Sequence, residues 1–156
     1  MNADGTGVTQ LTDNDGRDGF PAWSPNSKQI AFESLRDGDN DFEVFVMNAD
    51  GTGFTQLTDV DDWDGVLVWS PNGKQFAFES NRDGDYEVFV MNADGTGVSQ
   101  LTDNDDWDEF PVWSPNGKQI AFGSDRYGDR EVFVMDADGS NVVSLGQQGY
   151  PSSWGG

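Results

Sequence analysis

The sequence predicts an all-β chain: a β-propeller built of four-stranded antiparallel blades, three blades per chain. Three observations predict it. The chain repeats itself, apolar residues inside each repeat alternate as in strands, and Gly, Asn, Asp and Pro punctuate the intervals with no stretch of helical periodicity. Met47-Asn48-Ala49-Asp50-Gly51-Thr52-Gly53 recurs at 91–97 and opens the chain at 1–7. Trp23-Ser24-Pro25-Asn26 recurs at 69–72 and 113–116, which spaces the tryptophans by 46 and then 44 residues.

The second repeat shows each element in turn. A first strand is expected over 66–70, and Pro71-Asn72-Gly73 turns it into a second over 75–79. A polar loop follows at 81–85, then a third strand over 87–91, rich in Val and Phe. Asn92-Ala93-Asp94-Gly95 supplies a hairpin turn of the Asp-Gly kind, leading to a fourth strand over 98–101. The period places the other first strands at 20–24 and 110–114. Four short antiparallel strands in about 44 residues make one propeller blade. The single domain 1–156 thus divides into units 13–58, 59–102 and 103–145, with an N-terminal outer strand over 6–12 and a degraded C-terminal strand over 146–156. Trp23, Trp69 and Trp113 are expected to pack between neighbouring blades, with Phe32, Phe78 and Phe122 facing Phe45, Phe89 and Phe133.

Leu-Thr, an acidic loop, Phe-Pro-x-Trp-Ser-Pro-Asn-Gly-Lys-Gln-Ile-Ala-Phe-x-Ser-x-Arg, then Glu-Val-Phe-Val-Met-Asn-Ala-Asp-Gly resembles the TolB-type propeller repeat, a relative of the WD-repeat blade. The likeness covers nearly the whole chain, three times over. Asn26, Asn72 and Asn116 stand where that family usually has Asp, and Leu67 replaces the Pro of Pro21 and Pro111. The resemblance implies an interaction platform, since such propellers commonly bind other proteins. Six blades are usual in them, and an arc of three leaves an apolar face at each end. Closure by a second copy of the chain is therefore expected, as a homodimer.

Composition narrows the function. The 156 residues are 35% hydrophobic and 24% charged, and their longest apolar runs are strand-sized, far short of the roughly 20 residues that span a bilayer. No secretory leader is legible at the polar start, so a mature form or a fragment is expected. There is no Cys and no His, which removes disulfides, thiolate and imidazole metal sites, and the common nucleophilic triads. A net charge of −21 repels phosphate backbones and anionic lipid, so neither nucleic acid nor membrane is an expected partner.

The candidate site lies in the acidic loops between units. Asp13, Asp15 and Asp18, Asp59, Asp61 and Asp64, and Asp103, Asp105 and Asp108 share the pattern Asp-x-Asp-x-x-Asp. A propeller gathers such loops around its channel, and repeated carboxylates suit Ca²⁺, which takes six to eight oxygen ligands. The other reading is that the last Asp of each loop caps local N–H groups while the rest are solvated. A second acidic stretch, 37–43, reads as a charged hairpin loop. Trp63 and Trp107 stand inside the acidic loops, where unit one has Arg17. They either fold back on a blade or offer a flat face for a sugar ring or a cationic side chain.

The function expected is a non-catalytic binding scaffold for a protein, peptide or glycan, with Ca²⁺ as the candidate cofactor, in a periplasmic or extracellular setting. The alternative is a structural or engineered repeat without a dedicated ligand, acidic for solubility. An enzyme is not expected, because a loop repeated three times suits binding better than one catalytic centre.

Overall fold

The computed structural model describes residues 1, 4–36, 38 and 41–154. These form three four-stranded antiparallel sheets in sequence order, and no helix occurs among them. Blade one holds β1 Asp18–Trp23, β2 Gln29–Ser34, β3 Glu43–Asn48 and β4 Thr55–Gln56. Blade two holds β5 Asp64–Trp69, β6 Gln75–Ser80, β7 Glu87–Asn92 and β8 Ser99–Gln100. Blade three holds β9 Asp108–Trp113, β10 Gln119–Ser124, β11 Glu131–Asp136 and β12 Val143–Gln148.

Each first strand starts two residues before the expected position, at the last Asp of the acidic loop. The reason is a bulge. Pairing slips between Gly19 and Ala22, and at the same place in β5 and β9, so that Phe20, Val66 and Phe110 take φ of 45°, 43° and 55°. Beyond the bulge the ladder resumes as Asp18↔Ser34, Asp64↔Ser80 and Asp108↔Ser124.

The core lies between blades. Ala31, Val44 and Val46 of blade one bury against Leu67, Phe76, Phe78, Phe89 and Met91 of blade two, with Trp69 packed alongside. Ala77, Val88 and Val90 repeat this against Trp113, Ile120, Phe122, Phe133 and Met135. Strand alternation explains the layering, since successive side chains point to opposite faces and each sheet serves two interfaces. The expected Phe pairs stack at 6.0, 5.7 and 5.7 Å between ring centroids.

The ends differ from the expectation. Trp69 and Trp113 are packed, but Trp23 is 57% exposed because no described blade precedes it. Residues 6–12, expected as an outer strand, form no strand. Leu11 nevertheless covers the Ile30, Phe32, Phe45 and Met47 cluster on the outward face of blade one. At the other end β12 reaches Gln148, and residues 149–154 leave the sheet and fold over blade three; 155–156 of the expected last strand lie outside the described residues. The same holds for Asp37, Asp39 and Asn40 of the 37–43 hairpin.

Candidate functional site

The last Asp of each acidic loop opens a first strand and is held by the Arg of the Ser-x-Arg motif. Arg82 Nη2 lies 2.6 Å from Asp64 Oδ2, Arg126 Nη2 lies 2.6 Å from Asp108 Oδ2, and Arg36 Nη2 lies 3.0 Å from Asp18 Oδ1. The Nε of each Arg donates to Ser34, Ser80 or Ser124 Oγ at 2.9 Å. Each guanidinium also rests over Phe45, Phe89 or Phe133, at 5.0, 4.9 and 4.7 Å from the ring centroid. Asp64 and Asp108 are fully buried. Burial pushes the Asp18 carboxyl up, but hydrogen bonds from Ser34, Thr12, Asn14 and Arg36 outweigh it and hold the group below its ordinary value.

Asp13, Asp15, Asp59, Asp61, Asp103 and Asp105 are exposed. The second and third of these loops are pinned by buried glutamates: Glu43 Oε1 accepts the Val60 N–H at 2.8 Å and Glu87 Oε1 accepts the Asn104 N–H at 2.7 Å. Thr58 Oγ1 donates to Glu43 and itself accepts the Val44 N–H. Among the described residues no three carboxylates converge on a metal-sized position. The nine loop aspartates therefore divide into three bound to arginine and six directed at solvent.

Trp63 and Trp107 meet through a residue the sequence reading missed. Tyr86, the residue before β7, packs edge-on against Trp63 at 5.4 Å and Trp107 at 5.5 Å. The loop backbones hold the indoles in place, as Trp63 N–H donates to Asn81 Oδ1 at 2.8 Å and Trp107 N–H to Asp125 Oδ1 at 2.9 Å. Trp63 is half-buried and Trp107 is 48% exposed. Gly65 makes the fold-back of Trp63 feasible, because a Cβ there would lie 2.6 Å from the ring. Arg130 lies 5.9 Å from the Trp107 ring at one end of the row, and in blade one Arg17 lies 5.8 Å from the ring of Phe42, which precedes β3 as Tyr86 precedes β7.

Beside this row lie three carboxylates. Glu79 Oε2 accepts the Phe110 N–H at 2.7 Å, and burial pushes its carboxyl up to about 8, reinforced by Glu109 and Glu33. Glu33 holds the equivalent position facing Val66 one blade earlier, and burial raises it to about 7. Burial likewise raises Glu109, against the pull of Arg130 at 2.6 Å. Burial raises the Tyr86 hydroxyl too, with the charges of Glu79 and Glu109 adding to it. A small cleft at the blade-one end is lined by Arg17, Asp18, Gly19, Phe20, Glu33 and Phe42.

The sequence profile of the TolB beta propeller domain matches residues 64–153. No curated protein matches the chain. Among solved structures, the putative TolB of Agrobacterium tumefaciens is 31% identical, with a TM-score of 0.77 over 86% of this chain and 50% of its own. TolB from Acinetobacter baumannii is 23% identical, with a TM-score of 0.78 over 92% of this chain and 35% of its own. A puromycin hydrolase, 16% identical, superposes with a TM-score of 0.78 over 99% of this chain and 26% of its own. The chain thus spans half the length of the first of these proteins and about a third of the second. The four-stranded blades and the profile agree, and the chain belongs to the TolB beta propeller domain family.

Proposed function

We propose that this chain is a non-catalytic propeller scaffold that binds a basic peptide segment of a partner protein on the Trp63–Tyr86–Trp107 row. The observation that carries this reading is the seating of Tyr86 between two loop indoles, with Trp107 about half exposed. Aromatic faces attract a guanidinium or ammonium, and the exposed Asp61 and Asp105 of the loops that carry Trp63 and Trp107 add negative charge beside them. The chain's charge of −21 steers a basic partner toward this surface. Residue types favour binding over catalysis, because neither His nor Cys occurs in the sequence and Asp64 and Asp108, which follow the two loop tryptophans, are tied to arginines.

An ionic component belongs to the same reading: Ca²⁺ engages the exposed Asp13, Asp15, Asp59, Asp61, Asp103 and Asp105 and relieves their mutual repulsion. Its support is electrostatic, and Asp18, Asp64 and Asp108 contribute only as far as they leave their arginines. A periplasmic or extracellular setting, where free Ca²⁺ is plentiful, suits this use. The test is a binding screen on peptide and glycan arrays, followed by the Trp63→Ala, Tyr86→Ala and Trp107→Ala variants. Arg- or Lys-containing peptides lost in the variants support the reading. A glycan lost in the same variants replaces the peptide, and no ligand on either array favours a purely structural repeat.

A further inference from the structure

The two ends of the blade stack carry complementary halves of one joint. Inside the chain, Trp69 donates its indole N–H to the Ala22 carbonyl at 3.1 Å across the boundary between blades one and two. At the outer face of blade three, Trp154 donates its indole N–H to the Val112 carbonyl at 3.0 Å. Val112 holds in β9 the place of Ala22 in β1, as their pairing with Ala121 and Ala31 shows. Tyr150 packs on Phe110 at 4.4 Å and accepts a hydrogen bond from Arg130. Gly123 leaves room for Tyr150, since a Cβ there would lie 2.8 Å from its ring. Blades one and two carry Glu33 and Glu79 at this position, and those carboxylates face the bulge of the following blade. Residues 150–154, Tyr-Pro-Ser-Ser-Trp, therefore occupy the seat of a following first strand.

The opposite end presents the matching strand uncovered. Phe20 and Trp23 are each 57% exposed. Their sequence, Phe20-Pro21-Ala22-Trp23, nearly repeats the strap.

We propose that the strap 150–154 and the leading strand of a second copy of this chain compete for the outer face of blade three, so that strap release lets two chains join head to tail into a six-bladed ring. Continuity with the two blade–blade interfaces inside the chain fixes the occupant. Each of those joints buries a tryptophan on the preceding sheet, and Trp23 is the tryptophan left without a sheet. Closing the ring uses the apolar surface at both ends and leaves no sheet face open, whereas a non-closing contact would build filaments. An intramolecular strap has the advantage of high effective concentration, so the unaltered chain favours the capped monomer. The proposal concerns the blade ends and is independent of the ligand at the aromatic row.

Gly123→Glu tests it. The new side chain displaces Tyr150 and restores the carboxylate that would grip the Phe20 N–H of the second copy, at a strand position that already holds Glu in the other two blades. Mass should be followed by light scattering in about 0.5 M NaCl, where the Debye length falls to a few ångströms and the repulsion between two acidic chains is screened. Gly123→Glu should dimerise about tenfold or more tightly than the unaltered chain, and adding Trp23→Ala should return it to a monomer. A folded Gly123→Glu variant with the same mass as the unaltered chain at every concentration overturns the proposal, as does a dimer that survives Trp23→Ala. If Gly123→Glu loses its β-sheet circular dichroism, the double variant Tyr150→Ala, Trp154→Ala gives the same reading: dimerisation through Trp23 supports strap competition, and a folded monomer refutes it. An unaltered chain that already dimerises as tightly as the variants also refutes it.

Discussion

Glu79 and Phe110 are joined across the boundary between blades two and three, where the Glu79 carboxylate accepts the Phe110 N–H at 2.7 Å at the very residue that bulges β9. The bulge turns that N–H out of its own ladder, and the carboxylate of the preceding blade satisfies it. Glu33 holds the equivalent position facing the bulged Val66. These clasps make the register of one blade depend on the side chain of the blade before it.

The clasps should make the protein more stable in mild acid. Burial raises Glu33 to about 7 and Glu79 to about 8. With the folded value above the unfolded one, the stabilising contribution is fully present below the unfolded pKa of about 4.5 and is lost as pH rises through each folded value, at no more than about 1.4 kcal/mol per pH unit per carboxyl. Melting temperature should fall from roughly pH 5 to pH 9. Glu79→Gln keeps an acceptor for Phe110 and should flatten the fall; an unchanged slope in that variant contradicts this account of the clasp.

The Asp–Arg pairs should rank by burial. Asp64 and Asp108 are completely buried, so removing Arg82 or Arg126 by substitution to Met strands a carboxylate and should destabilise by about 2–4 kcal/mol, less than a wholly enclosed pair because each guanidinium is partly exposed. Asp18 and Arg36 are both partly open to solvent, so Arg36→Met should cost less. Urea denaturation of the three variants checks the order, and equal losses would contradict it.

Strand positions were legible because turn chemistry brackets them: Asn72-Gly73 and Asp94-Gly95 fix the hairpins, and alternation fixes the faces. The pairing of Asp64 with Arg82 was also available from the repeat, since an Arg follows the loop Asp at one constant interval in every unit. Tyr86 was passed over because its loop reads as polar, and only the curvature of the stack brings it between Trp63 and Trp107. The exposure of Trp23 was not legible at all. Its sequence neighbourhood matches that of Trp69, and the difference lies in whether another sheet stands in front of it.

Blade one departs from its siblings at the first turn. Ser27 takes φ 58°, where Gly73 and Gly117 sit at 68° and 67°. A side chain in the left-handed region costs about 1–2 kcal/mol, partly offset by the greater unfolded-state freedom of Gly. Ser27→Gly should therefore stabilise by about 0.5–1 kcal/mol in thermal or urea melts, and a destabilised variant would show that the Ser27 side chain contributes more than the turn geometry indicates.

The calcium component is separable from simple screening. Ion binding to the folded state alone stabilises by RT ln(1 + [L]/Kd), about 2.7 kcal/mol at a hundredfold excess over Kd. Melting temperature should rise more in millimolar CaCl₂ than in NaCl of equal ionic strength. Equal rises would mean that the exposed aspartates are solvated turns.

Binding at the aromatic row is tested most directly by titrating the chain with Arg- and Lys-containing peptides while following tryptophan fluorescence and heat. The predicted result is saturable micromolar binding that weakens with salt and disappears in Tyr86→Ala, with circular dichroism unchanged. Binding of equal strength in Tyr86→Ala and Trp107→Ala, or preference for acidic over basic peptides, would contradict it.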